Sequence, residues 1–342
     1  MSRYITYCLV ALSGVLLLLL PLLVNPGLVH LAGVTLVMGV FAVAWNLLFG
    51  YAGLASFGSG GLFSLGAYVM AISLRAGYEQ SFLLLIVLAM VTGGIVAFLV
   101  GAVALRRSSG IYLAILTLAM AEVLRQILMR WHWIGAEDGL PNIVRPHFSY
   151  GLGLIDLSSG ARYHVFLCLA CGLLIAAIWW IAHGRFGRTL RAIRLDPERA
   201  AFMGVNTYGY KLAAFTLSGV FVAGAGALYA PLAQIVTPDL GNMLRSTQPI
   251  LFTLLGGASS FWGPLIGGFL FSAIEYGTRT LVGLQEIITG VILLAVVLIF
   301  PTGISGAFRK LFASLEQGEP APARKVEVSD AGRLGKPLTQ RV

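Results

Sequence analysis

Few side chains in this sequence can do chemistry, and their spacing decides what kind. The five histidines (His30, His132, His147, His164 and His183) lack the H-x-x-x-H or H-E-x-x-H spacing that sets two imidazoles on one helix face for a metal. No G-x-S-x-G elbow occurs. The nearest approach to a phosphate-binding loop, Gly332-Arg333-Leu334-Gly335-Lys336-Pro337, has the wrong spacing and a proline where Ser or Thr would hold Mg2+. No cofactor or metal is expected on this chain, and any ATP must be hydrolysed by another. Cys168 and Cys171 keep a C-x-x-C spacing inside an apolar run, with no turn, His or acidic partner expected nearby, and read as small packing residues. Glu122 and Arg125 lie three apart, Glu275 and Arg279 four apart, so each pair can neutralise itself along a helix face. Glu122 reads either as part of a solute path or as half of a structural pair. Glu275 reads as structural. A proton- or sodium-coupled carrier would carry more unpaired carboxylates within its apolar segments, so ion coupling is disfavoured.

The richest local signal is the segment 184–211. Arg185, Arg188, Arg191 and Arg194 recur every three residues, spreading over half a helix circumference, as on a solvated or lipid-headgroup face. Then comes Asp196-Pro197-Glu198-Arg199-Ala200-Ala201-Phe202-Met203-Gly204. Asp196 suits an N-cap, Pro197 the first helical position, Glu198 the first turn and Gly204 the position just past the end. A residue before proline resists the helical conformation, so the Arg-bearing helix should stop there and a second, two-turn helix begin. Such a helix suits either a membrane-surface loop or a docking element for a partner.

The elements that hold these residues follow from composition. Of 342 residues, 58% are hydrophobic and 11% charged, against about 25% charged in a soluble domain. That excludes a soluble globular, disordered or coiled-coil protein. Apolar runs at 7–24, 29–48, 53–74, 82–105, 111–129, 163–182, 212–230, 247–255, 265–280 and 284–300 give about ten spans of a hydrocarbon core ~30 Å thick. The expected fold is an all-α integral membrane protein, polytopic and helical. The first run could pass for a signal peptide, but Leu22-Leu23-Val24-Asn25-Pro26 is a poor cleavage site, so it is taken as a span. The third run is dense in Gly and Ser and fits a broken or re-entrant segment, and Pro249 weakens the start of the short eighth.

The net charge of +9 lies in loops and carries no nucleic-acid signature. Placing 184–211 in the cytoplasm and alternating puts Arg3, Arg106, Arg107 and the C-terminal tail inside, and the connection 130–162 outside. Both termini are therefore expected to be cytoplasmic. Residues 1–310 form the membrane domain, and 311–342, rich in Pro, Ala and charge, a flexible cytoplasmic tail. A weak echo links Ala55-Ser56-Phe57-Gly58 to Ser259-Ser260-Phe261-Trp262-Gly263, as in a duplication or by chance.

Several strings then appear in order: Asn46-Leu-Leu-Phe-Gly-Tyr-Ala-Gly53, Ser56-Phe-Gly58 and Gly66-Ala-Tyr68; Gly110-Ile-Tyr-Leu-Ala-Ile-Leu-Thr-Leu-Ala119 with Glu122; Asp138-Gly-Leu140. Gly187-Arg-Thr-Leu-Arg-Ala-Ile-Arg194, Ala200-Ala201, Gly204, Gly256-Gly257, Trp262-Gly-Pro264 and Pro301-Thr-Gly303 complete the series. Over residues 30 to 310 the chain resembles the branched-chain amino-acid permeases of ATP-binding-cassette importers. The resemblance implies a multi-pass permease subunit of the bacterial inner membrane, set in the lipid bilayer. Its implied partners are a second permease, two ATPases that hold ATP and Mg, and an external solute-binding protein. It also implies that 196–204, Asp196 to Gly204, is the ATPase-coupling segment. Tyr51, Ser56, Ser59 and Glu122 are then candidates for the translocation path. Trp131, Trp133, Glu137 and Asp138 are candidates for docking the binding protein. Leu54 and Ser59 stand where relatives commonly have Gln and His, and Ile134-Gly135-Ala136 where Thr-Gly-Gly is usual. These departures leave urea, short amides or aromatic acids open as solutes.

Overall fold

The computed structural model describes residues 14, 16–78, 81–107, 110–149, 154–278, 285–299 and 303–306. All lie in the first of two compact units, Met1–Ala307. The second unit, Phe308–Val342, falls outside the described residues, and with it the expected tail.

The helices are α1 (Pro26–Asn46), α2 (Ser59–Arg75), α3 (Phe82–Arg107), α4 (Ile111–Arg130) and α5 (Gly160–His183), then α6 (Arg185–Leu195) and α7 (Pro197–Phe202), and finally α8 (Thr207–Ala233), α9 (Met243–Gly256), α10 (Gly263–Thr278) and α11 (Gln285–Ile299). The expectation of ten full spans is met only in part. Among the described residues, five helical segments are long and apolar enough to cross a membrane: Pro26–Ala52, Phe82–Arg106, Ile111–Arg130, Gly160–His183 and Thr207–Ala233. The segments α2, α9, α10 and α11 hold 17, 14, 16 and 15 residues and fall short of that length. Of the first expected span, 7–24, only residue 14 and residues 16–24 are described, and 16–23 are helical. Pro249 does not delay α9, which starts at Met243 because Asn242 caps it, its Oδ1 accepting from Arg245 N at 2.8 Å.

Helix α8 is the hub, packed along α3, α2 and α1. In lipid there is little hydrophobic drive between helices, so close approach of small residues does the work. A β-carbon on Gly66 of α2 would strike the Ala223 carbonyl, one on Gly226 the Phe63 carbonyl, and one on Gly93 the Ala223 methyl. The opposite face of α3 presents Leu84, Val87, Val91, Ile95 and Leu99 outward, as a lipid-facing stripe should.

The predicted break is present, and it is longer than a kink. Past Asn46 the chain continues as a π-helical turn, Leu47–Ala52, and leaves it at Gly53, whose φ of +70° favours glycine. Residues 53–58 are not helical, and α2 begins at Ser59. Backbone freed inside a membrane protein must find partners within the protein. Here Trp45 Nε1 donates to Ser56 O at 2.7 Å, Phe57 N to Thr117 Oγ1 at 3.1 Å and Gly60 N to Ser246 Oγ at 3.1 Å.

Strands are short. β1 (Leu140–Pro141) pairs antiparallel with β4 (Ile235–Val236), joining the 130–162 connection to the loop after α8. β2 (His147–Ser149) and β3 (Leu154–Asp156) form a hairpin within that connection.

Candidate functional site

The α6–α7 corner is built as its sequence demands. Asp196 is extended, with φ −157° and ψ 96°, and its Oδ1 accepts from Arg199 N at 2.9 Å. Arg199 Nε also stands 3.4 Å from Asp196 Oδ2. Pro197 opens α7, Glu198 sits in the first turn, and Gly204, at φ +83°, ends the element. Asn206 then caps α8, its Oδ1 accepting from Gly209 N at 3.0 Å. Only one residue separates α6 from α7, so the corner has no slack. Ala200 is buried and Ala201 exposed. Leu195, Phe202 and Met203 are 87%, 92% and 81% exposed, a cluster of apolar side chains beside Glu198 and Arg199. Exposed apolar groups gathered like this mark an interaction surface.

All four arginines of this face are exposed, as a solvated face requires, and two of them also reach the helix break. Arg194 Nη1 donates to Gly50 O, and the Arg191 guanidinium lies 5.5 Å from the centre of the Tyr51 ring. Phe186 stacks on Tyr210 of α8 at 5.6 Å. Helix periodicity gives four equivalent arginines, and only the fold separates them.

Among the path candidates, Tyr51, Ser56 and Ser59 gather at the break and are buried. Glu122 is paired: Arg125 Nη2 reaches its Oε1 at 2.7 Å and Gln126 Nε2 donates to it at 2.9 Å. Arg125 Nη1 reaches on to Asp239 Oδ1 at 3.4 Å, so the pair is a bridge from α4 to the loop before α9. Asp239 carried no signal in the sequence. Glu275 is exposed, and its expected partner Arg279 lies outside the described residues. A cavity of about 160 Å3 opens between α2, α3, α4 and α8, lined by Leu62, Val96, Val100, Thr117, Leu124 and Phe215 among others. None of the four path candidates lines it.

The docking candidates Trp131, Trp133, Glu137 and Asp138 are all exposed, Trp133 by 74%. They sit on a chain that turns through positive φ at Gly135 (+89°), Ala136 (+47°) and Gly139 (+72°). Cys171 is buried, as expected of a packing residue. Cys168 has a neighbour that the C-x-x-C reading missed: His164 Nε2, one helical turn back, lies 3.4 Å from its Sγ. Among the described residues no three His, Cys, Asp or Glu groups gather as metal ligands.

Residues 27–301 match the family model described as the permease component of branched-chain amino acid transport systems. The chain is 29% identical over 271 residues to the high-affinity branched-chain amino acid transport system permease protein LivM of Salmonella typhimurium, covering 73% of this chain and 63% of that protein. It thus spans less than two thirds of that relative. It is 23% identical over 293 residues to LivH of Escherichia coli, covering 80% and 93% of the two chains. It is 29% identical over 262 residues to the autoinducer 2 import system permease protein LsrC of Photorhabdus laumondii, covering 73% and 74%. No solved structure matches. A predominantly helical chain with long apolar spans, a broken glycine-rich helix and a capped corner between helices, matched over most of its length, belongs to the branched-chain amino acid transport system permease family.

Proposed function

We propose that this chain is the membrane-spanning subunit of an ATP-driven importer, passing branched-chain or related small amino acids delivered by an external binding protein. ATP is hydrolysed by two separate cytoplasmic subunits, and a second permease completes the path. The observation that carries this reading is the set of exposed apolar side chains at α7, Phe202 with Leu195 just before it and Met203 just after it, on a self-capped helix linked through α6 to one membrane helix and by a short turn to another. A rigid knob of this kind lets closure of an ATPase move the membrane part, where a glycine-rich loop would absorb the motion. Phe202 and Met203 fill an apolar groove on the partner, Ala201 permits close approach, and Glu198 meets a basic residue there. The chain carries about ten spans with both termini in the cytoplasm. The α6–α7 corner is cytoplasmic and 130–162 faces outward.

Ala201→Asp tests the reading. It places an unpaired charge in the contact, at a cost of about 3–5 kcal/mol, without touching a membrane helix. Normal membrane insertion, loss of ATPase from the purified complex and loss of uptake are expected. If Ala201→Asp transports at the native rate with the ATPase bound, α7 is not the coupling element. A second reading of the solute is supported by the similarity to an autoinducer 2 permease and by Leu54 and Ser59 in the break. On that reading the same machine passes a small polar solute other than an amino acid. Binding of leucine or its relatives by the cognate external binding protein would exclude it.

A further inference from the structure

We propose that Arg194, with Arg191 beside it, is the positioning residue that carries movement of α7 into the broken membrane helix; this rests on the coupling reading of α7. A helix end leaves its last carbonyls without internal N–H partners. At the end of α1 the π turn uses Leu48 O, which accepts from Leu54 N at 3.1 Å, while Gly53 turns the chain away. Gly50 O receives its donor from another element: Arg194 Nη1. The Arg194 side chain also packs on the turn itself, since a β-carbon on Gly53 would come within 2.9 Å of Arg194 Cγ. Arg191 sets a second cation over the Tyr51 ring. Two positive charges therefore stand at the negative end of the α1 dipole, which is where cations are favoured.

Both arginines belong to α6, and α6 is tied to α7 without play. Only Asp196 lies between them, its N–H bonded to Ala192 O at 3.2 Å and its carboxylate capping α7. Beyond Gly53 the chain is tied as well. Ser56 O is held by the Trp45 indole and Phe57 N by Thr117 of α4, and α2 starts at Ser59. Gly50 also abuts the loop between α9 and α10, where a β-carbon on it would stand 2.8 Å from Ala258 O. A push on α7 thus arrives at Gly50, in the π turn just before the unwound segment and against the second glycine-rich loop.

The test uses the assembled transporter, reconstituted with its ATPases and binding protein, and reads solute moved per ATP hydrolysed. Arg194→Ala is expected to keep the ATPase bound and hydrolysing at its basal rate, while that ratio falls about tenfold. Arg194→Lys keeps one donor for Gly50 O and is expected to restore most of the ratio. Arg185→Ala, on the same helix and outside the contacts with Gly50 and Tyr51, is expected to leave it unchanged. A native ratio in Arg194→Ala overturns the relay, and so does a lack of recovery in Arg194→Lys. Loss of the ATPase from the Arg194→Ala complex also overturns it, by making Arg194 a docking or folding residue. Failure of the coupling reading is seen separately, when Ala201→Asp retains both the ATPase and uptake.

Discussion

The α6–α7 corner and the 130–162 connection both present bare apolar or aromatic side chains, and they are built in opposite ways. The corner is helix on both sides, capped at Asp196 and Asn206, and hydrogen-bonded into the π turn after α1 through Arg194. The connection passes through three positive-φ residues within five positions, and two short strand pairs hold it. A capped helix moves as a body, whereas a turn-rich loop changes shape under its partner. The first suits transmission of force. The second suits recognition of a partner that arrives and leaves.

The sharpest way to break this comparison is to ask whether the two regions face opposite compartments. With Cys8, Cys168 and Cys171 replaced by alanine, a cysteine at exposed Glu137 should label with an impermeant reagent in intact cells. One at exposed Arg188 should label only after the membrane is opened. Labelling of the Arg188 position in intact cells refutes the assigned orientation. Gly187 is unsuitable, because a β-carbon there would strike the Ala182 carbonyl.

A smaller effect is expected for the loop. Replacing Trp133 and Asp138 together by alanine should raise the binding-protein concentration for half-maximal uptake about tenfold, as removal of an exposed aromatic anchor does at interfaces. The maximal rate should hold. An unchanged half-maximal concentration reduces the loop to a cover over the solute path.

The smallest effect concerns strain. Ala136 holds a φ of +47°, where an L-residue with a β-carbon is disfavoured. Ala136→Gly relieves this and loses some backbone entropy, for a net gain of about 0.5 kcal/mol. Thermal unfolding of the purified protein in detergent checks it. A lowered midpoint would mean that Ala136 does not occupy this conformation in solution.

What the sequence made legible was local. Asp196 before Pro197, with Gly204 seven residues beyond Pro197, carries the two-helix corner in its own residue types. The density of glycine after residue 50 announces the unwound segment, because helix interiors resist glycine. What stayed hidden depends on tertiary approach. Arg194 and Gly50 are 144 positions apart, and Arg125 and Asp239 are 114 apart. No periodicity in either segment points to the other. The expected run 29–48 ends two residues past α1, inside the π turn, because Leu47–Ala52 is as apolar as the helix before it and only backbone hydrogen bonding separates the two. His164 and Cys168 stand four apart, one helical turn, so their contact is written in the spacing of the sequence.

The bond from Trp45 to Ser56 O gives the molecule an optical property. Trp45 is 1% exposed, stacked on Phe49 at 5.0 Å, and its N–H ends on the carbonyl of the unwound segment. Indole emission shifts in colour with the polarity and hydrogen bonding around it. Of the six tryptophans, this one touches the segment that joins α1 to α2. A chain keeping Trp45 as its single fluorophore would therefore signal rearrangement of residues 53–58 as a change in wavelength, with no dye attached and no cysteine introduced.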